Sequence, residues 1–167
     1  MKTKTVLCAS LALCLAFQAK ALSDGSWNFS VAGGEATLTG YAGTGPEDLV
    51  LPSSVTADGT DYPVTAVGSA AFSGKAWFKT LRIPDTIRSI GNSAFESCRA
   101  LQSIEVPGSV TNIGRSAFYG CTNLVTATLN EGIVSIGESA FYNCSSLLVA
   151  SVPNSVTNLG SGAYAYC

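Results

Sequence analysis

The sequence predicts an α/β repeat solenoid built from 23-residue coils, and three observations predict it. Cys98, Cys121, Cys144 and Cys167 are each separated by 23 residues. The dipeptides Ala94-Phe95, Ala117-Phe118, Ala140-Phe141 and Ala163-Tyr164 keep the same interval. So do Gly91, Gly114, Gly137 and Gly160, each preceded by an aliphatic residue: Ile90, Ile113, Ile136 and Leu159. A fixed short period without insertions marks a stack of units, because each unit is too small to bury its own apolar face and must use its neighbour. Val64, Val67, Gly68, Ala71, Phe72 and Phe78 fill the same columns one unit earlier, which gives about five coils, the last incomplete.

Taken in chain order, residues 1–21 read as an export signal. Lys2 and Lys4 precede an uncharged apolar run from Val6 to Phe17 that is too short to cross a bilayer, and Ala19-Lys20-Ala21 supplies small residues where a signal peptidase needs them. Cleavage is expected after Ala21, leaving a mature chain from Leu22 with no transmembrane segment. A lipoprotein signal fits less well, since Leu13 precedes Cys14 where a small residue would be required. Export implies secretion or surface display, with the periplasm as the other destination.

Residues 22–62 read as an N-terminal β cap. Trp27, Phe29 and Val31 alternate with other residues, Gly33-Gly34 supplies a turn, and Ala36 and Leu38 alternate again, which is a hairpin pattern. A second, looser hairpin is expected around Asp58-Gly59, inside an insertion between Pro52 and Val64.

Residues 63–167 carry the repeats. After Gly91, Asn92-Ser93 can cap a short helical turn, and Phe95, Cys98 and Leu101 recur every three residues, which predicts a 3₁₀ or short α segment with one buried edge. The period then changes to two. Ile104 and Val106 flank Glu105 as in a strand, and Pro107 ends it because proline cannot donate to a ladder. Val110 and Ile113 point inward again, and Gly114 opens the next coil at a bend that a β-carbon would obstruct. Stacking places Ile83, Val106, Leu129 and Val152 in one inward column, with strands about 4.7–4.9 Å apart. Phe72, Phe95, Phe118, Phe141 and Tyr164 form a second, an aromatic spine.

The pattern Ile-Pro-x-x-Ile-x-x-Ile-Gly-x-x-Ala-Phe-x-x-Cys-x-x-Leu runs from Ile83-Pro84 to Leu101 and again, with valine in two of its aliphatic places, from Val106-Pro107 to Leu124. It closely resembles the BspA-type, or Treponema-type, leucine-rich repeat over residues 49–167. The resemblance implies a curved, right-handed superhelix with a strand on its concave face, found in secreted and surface proteins associated with adhesion to host proteins or other cells. Departures stand out: Asn130 replaces the proline, Ala127 and Ala150 replace large aliphatics, and Lys75 replaces the first cysteine. The chain stops at Cys167 within a repeat, so the open end is expected either to be covered by a partner or to mark a fragment of a larger surface protein.

Chemistry excludes more than it offers. Without Lys2, Lys4 and Lys20, six basic residues face eleven acidic ones, which disfavours nucleic acid as a partner. The chain has no histidine and no Cys-x-x-Cys, so no metal or other cofactor is expected, and Ser-His or Cys-His nucleophile pairs are ruled out. Asp85, Glu96, Glu105, Glu131 and Glu138 lie in different columns, with no insertion to pair them as a glycosidase needs. The expectation is therefore not an enzyme. Cys98, Cys121, Cys144 and Cys167 share a column with buried apolar residues, where cysteines act as small hydrophobes more often than as bridges; a disulfide between adjacent coils is the other reading. Asn28-Phe29-Ser30 and Asn143-Cys144-Ser145 match the glycosylation acceptor pattern, which matters only in a eukaryotic host.

What remains is recognition. The concave-face candidates are the strand residues that point outward, Thr80, Arg82, Ser103, Glu105, Thr126, Thr128, Val149 and Ser151, and the expected partner is an extracellular protein or glycoprotein. Two alternatives stand beside it. One is an assembly module that pairs through its last coil. The other is glycan binding at Tyr119 and Tyr142 on the convex side.

Overall fold

A computed structural model of the protein describes residues 20–167, so most of the expected export signal lies outside the described residues. The described residues open with three antiparallel strands, β1 (Lys20–Ser23), β2 (Trp27–Ala32) and β3 (Glu35–Tyr41). The cleavage point expected after Ala21 falls inside β1. Phe29, Ala36 and Leu38 from β2 and β3 are fully buried, while Gly33 and Gly34 take the left-handed φ values, +60° and +83°, that close the hairpin.

β4 (Asp48–Val50) leads into a second hairpin, β5 (Ser54–Ala57) and β6 (Thr60–Val67), turned at Asp58 and Gly59 with φ of +50° and +75°. The second half of β6 pairs in parallel with β3, so the N-terminal strands continue the repeat stack on one side.

Each later coil contributes two parallel strands. The longer ones are β7 (Thr80–Arg82), β9 (Ser103–Val106), β11 (Thr126–Leu129) and β13 (Val149–Ala150). With β4 they form a five-stranded sheet in the order β13-β11-β9-β7-β4. The shorter ones, β8 (Ser89–Ile90), β10 (Asn112–Ile113), β12 (Ser135–Ile136) and β14 (Asn158–Leu159), extend the other sheet from β6. Residues such as Ile113 were expected to point inward, and they do so from this second ladder, which two-residue strands are too short to announce by alternation.

The helical element is not there. No helix occurs among the described residues, and the third side of each coil is a ribbon of turns. Ser93 and Ser97 sit at φ +54° and +57°, which interrupts a right-handed helix before it can propagate. The backbone donors divide. The N–H groups of Ser93, Phe95 and Ser97 donate to Arg115, Ala117 and Tyr119 of the next coil at 2.7–2.8 Å, while those of Ala94, Glu96 and Cys98 turn back on Gly91, Ser93 and Phe95 at 3.1–3.3 Å. A helix would have kept both sets within the coil; here half of them stitch the stack together. Asn92 does not cap a helix either, since its Oδ1 accepts the Arg115 N–H of the next coil at 2.9 Å.

Between the three sides runs one apolar core. Phe72, Phe95, Phe118 and Phe141 are fully buried and stack at centroid separations of 5.1–5.2 Å with their planes within 7° of parallel. Tyr164 continues the stack at 5.1 Å but is only partly buried. In the strand column Ile83, Val106 and Leu129 are buried, whereas Val152, expected beside them, is 44% exposed, because no further coil in the described chain lies against it.

One surface carboxylate clasps two coils. Glu131 accepts the Asn154 and Ser155 N–H groups, both at 3.0 Å, and these bonds hold its pKa below the usual 4.5. A carboxyl whose pKa is lowered on folding adds stability above its unfolded value and loses it as pH falls through the lowered one. Glu131→Gln is therefore expected to lower stability at pH 7, where the carboxylate is ionised, and to converge on the parent as pH falls below about 4.5, as read from urea melts across that range.

Candidate functional site

The outward face of the five-stranded sheet gathers side chains from every coil. Parallel register aligns Asp48, Thr80, Ser103, Thr126 and Val149 in one column and Val50, Arg82, Glu105 and Thr128 in another, with Ser151 following β13 at the next position. Between them, Leu49, Leu81, Ile104 and Ala127 point into the core, as the two-residue period of a strand requires. Arg82, Glu105, Thr128, Val149 and Ser151 are exposed; Thr80, Ser103 and Thr126 are half-buried.

Asp48 and Val50 belong to this face and were missed. Their signal was present, because Leu49-Val50-Leu51-Pro52 repeats the form of Leu81-Arg82-Ile83-Pro84. The hairpin of β5 and β6 stretches the interval between paired residues to 32, against 23 elsewhere, and hides the match from a fixed-period reading. A third column, Lys79, Gln102, Val125 and Leu148, precedes the strands and is exposed in all four coils.

Hydrogen bonds fix several of these groups. Thr80 Oγ1 donates to Asp48 Oδ1 at 2.6 Å, Lys79 Nζ lies 3.0 Å from Glu47 Oε2, and Asn130 Nδ2 donates to Glu105 Oε1 at 3.2 Å. The departure from proline at Asn130 thus places an amide donor where the other coils have none. Two shallow depressions open here. One of about 450 Å³ runs over Thr80, Arg82, Ser103, Glu105, Thr126 and Thr128. The other, about 250 Å³, lies between Arg82, Asp85, Glu105 and Asn130 beside Pro84 and Pro107. The arrangement offers polar contacts and the guanidinium of Arg82, which has no ion-pair partner among the described residues.

Cys98, Cys121 and Cys144 are fully buried and unbridged, and each thiol donates to a carbonyl of an earlier coil: Phe72 at 3.1 Å, Phe95 at 3.2 Å and Phe118 at 3.2 Å. Cys167 makes the same bond to Phe141 but is exposed rather than buried, as nothing in the described chain stacks over it. Burial pushes the Cys98 thiol up to about 12 and those of Cys121 and Cys144 higher still. Two outcomes follow. Alkylation at neutral pH should label Cys167 quickly and the other three at the rate of unfolding. Stability should also fall as pH rises above about 9, where the unfolded chain ionises thiols that the fold keeps protonated. Labelling of all four at one rate would count against the buried column.

The Tyr119 and Tyr142 rings stack at 5.1 Å on the turn side, with Tyr166 4.9 Å beyond. Stacking covers one face of Tyr119 and the facing side of Tyr142, and Tyr166 tilts against Tyr142. Among the described residues, no group of three or more His, Cys, Asp or Glu could hold a metal ion, and no helix is long and apolar enough to cross a membrane.

Parallel strands on two sides, a turn ribbon on the third and a stacked aromatic spine define a leucine-rich-repeat solenoid. The profile of the BspA type leucine rich repeat region matches six times over residues 59–167, and the chain belongs to that family. Solved structures agree. A leucine rich repeat protein of T. pallidum is 31% identical with a TM-score of 0.77, over 87% of this chain and 67% of its own. One from Bacteroides ovatus is 32% identical with a TM-score of 0.78, over 86% of this chain and 38% of its own, so this chain spans well under half of that protein. A leucine rich cell surface protein of Faecalibacterium prausnitzii, at 24% identity and a TM-score of 0.54 over 89% of this chain and 52% of its own, shares the fold. No curated protein matches the chain.

Proposed function

We propose that this protein is an exported, non-enzymatic binding module that engages an extracellular protein or glycoprotein through the concave, outward face of its five-stranded sheet. The observation that carries this reading is the alignment of exposed side chains from five strands into continuous columns, on a sheet whose three inner strands are paired on both sides. Each position can vary without disturbing the core, which suits a solenoid to recognition. The face has no Trp or Tyr anchor, so single contacts are weak and several copies on one surface would act together. The lysine-flanked apolar N-terminus favours secretion or cell-surface display.

The test is a binding panel of matrix proteins, whole cells and glycans probed with residues 22–167 and with an Arg82→Ala, Glu105→Ala, Thr128→Ala triple variant. Binding is expected to a protein on the panel and to drop by about tenfold or more in the variant, whose exposed positions leave the fold unchanged. Binding that the triple variant retains would move the site off this face.

A further inference from the structure

Resting on the reading above that the partner is an extracellular protein, we propose that it adds a strand to the free edge of β4, setting a basic residue across from Asp48 and an aliphatic one across from Val50. In the five-stranded sheet β4 stands at one end, with β7 as its single neighbour. The bonds between the two strands show which backbone groups are in use. The Thr80 N–H donates to the Glu47 carbonyl at 3.2 Å, and the Leu51 N–H donates to the Arg82 carbonyl at 3.0 Å. Residues 47, 49 and 51 therefore face β7, and by the alternation of a strand the N–H and C=O groups of Asp48 and Val50 face the other way. One coil later the equivalent groups, on Thr80 and Arg82, are the ones that β4 itself pairs. On Asp48 and Val50 they have no partner among the described residues.

No chain terminus produces this edge. Residues 20–47 precede it, and their three strands extend the other sheet beyond β6 instead. Asp48 is exposed and Val50 is 55% exposed, so the edge is open to solvent, while Leu49 between them is buried and anchors the strand to the core. An open edge is a template for another strand unless proline, charge or a covering segment blocks it. The prolines here, Pro46 and Pro52, lie outside β4 and leave its outward groups intact.

Charge chooses the occupant. The Thr80 hydroxyl bonds Asp48 at 2.6 Å but is neutral, so the Asp48 charge stays uncompensated, whereas Glu47 beside it is matched by Lys79. A second copy of β4 would bring a second Asp48 carboxylate onto the same three-residue ladder, where like charges repel. A lysine or arginine across from Asp48 is attracted instead, and the bare Val50 favours a Val, Ile or Leu across from it. Asp48 and Val50 lie two residues apart on one face, so the added segment carries its basic and aliphatic residues at that same spacing. Backbone bonds supply the affinity and this pair of side chains supplies the choice of segment.

The probe is a dense array of Gly/Thr octapeptides, each with one Lys and one Val at increasing separation and in both orders, read with the purified chain. Signal is expected to peak at a separation of about two and to vanish when Glu replaces Lys. In the best peptide, N-methylation of every second amide should lower binding by about tenfold while the amides between tolerate it, which only an added strand produces. Val50→Pro should weaken binding by a similar factor, since it deletes an outward N–H that the fold does not use. Asp48→Lys should move the preference from Lys to Glu peptides, and matched melting curves verify that both variants fold. An array without binding, an N-methyl scan without alternation, or a preference indifferent to Asp48→Lys overturns the proposal. If that happens while the triple variant still loses its protein target, the strand face stands and only the added strand falls; if the triple variant keeps its target as well, both readings fall.

Discussion

Phe118→Ala is expected to lower the free energy of unfolding by about 3–5 kcal/mol, against a total of about 5–15 for a domain. The ring is fully buried and sandwiched at 5.2 Å from Phe95 and 5.1 Å from Phe141. Its removal leaves a gap that the coils cannot close. The Phe118 N–H donates to Ala140 at 2.7 Å and its carbonyl accepts the Cys144 thiol, so the backbone on both sides is fixed at the coil spacing. A stack held by nearest neighbours also loses its cooperativity at such a gap, so the urea dependence should become shallower as well as shifted. Tyr164→Ala, at the partly buried end of the same stack, should cost clearly less. A Phe118→Ala free energy of unfolding within about 1 kcal/mol of the parent would show that the spine does not hold the coils together.

The stack was legible in the sequence because columns of identical residues report the period whatever local structure fills it. Phe95, Cys98 and Leu101 reveal that one edge is buried every third residue, and they do so equally well for a helix or for a ribbon of turns. What separates the two is the left-handed φ at Ser93 and Ser97, and serine carries no sign of it. The second ladder escaped for a related reason: Ser89-Ile90 and its equivalents are too short to alternate. At the candidate site, Arg82, Glu105 and Thr128 could be read from the strand period, whereas Asp48 and Val50 were masked by a hairpin that breaks the interval. The unpaired state of Arg82 depends on which carboxylates its neighbours already hold, and no single sequence shows that.

Gly137→Ala is expected to cost about 1–3 kcal/mol, for a reason that differs from the bend suggested by its position after Ile136. Gly137 is not in the left-handed region; Gly120 and Gly132 are. What it needs is space. A β-carbon there would lie 2.5 Å from the Arg115 nitrogen and 2.6 Å from the Gly114 carbonyl carbon, both backbone atoms of the previous coil that cannot rotate away. Gly68, Gly91, Gly114 and Gly160 meet the same obstruction at 2.2–2.8 Å, so the glycine column is the line along which successive coils touch backbone to backbone. Gly120 separates this cause from dihedral strain. It sits at φ +67° with only the Ser97 hydroxyl within 4 Å, at 3.5 Å, and its equivalents Ser97 and Asn143 adopt similar φ values. Gly120→Asn should therefore stay within about 1 kcal/mol of the parent. If urea unfolding instead ranks Gly120→Asn as the more damaging change, backbone conformation rather than coil contact is what the repeated glycines protect.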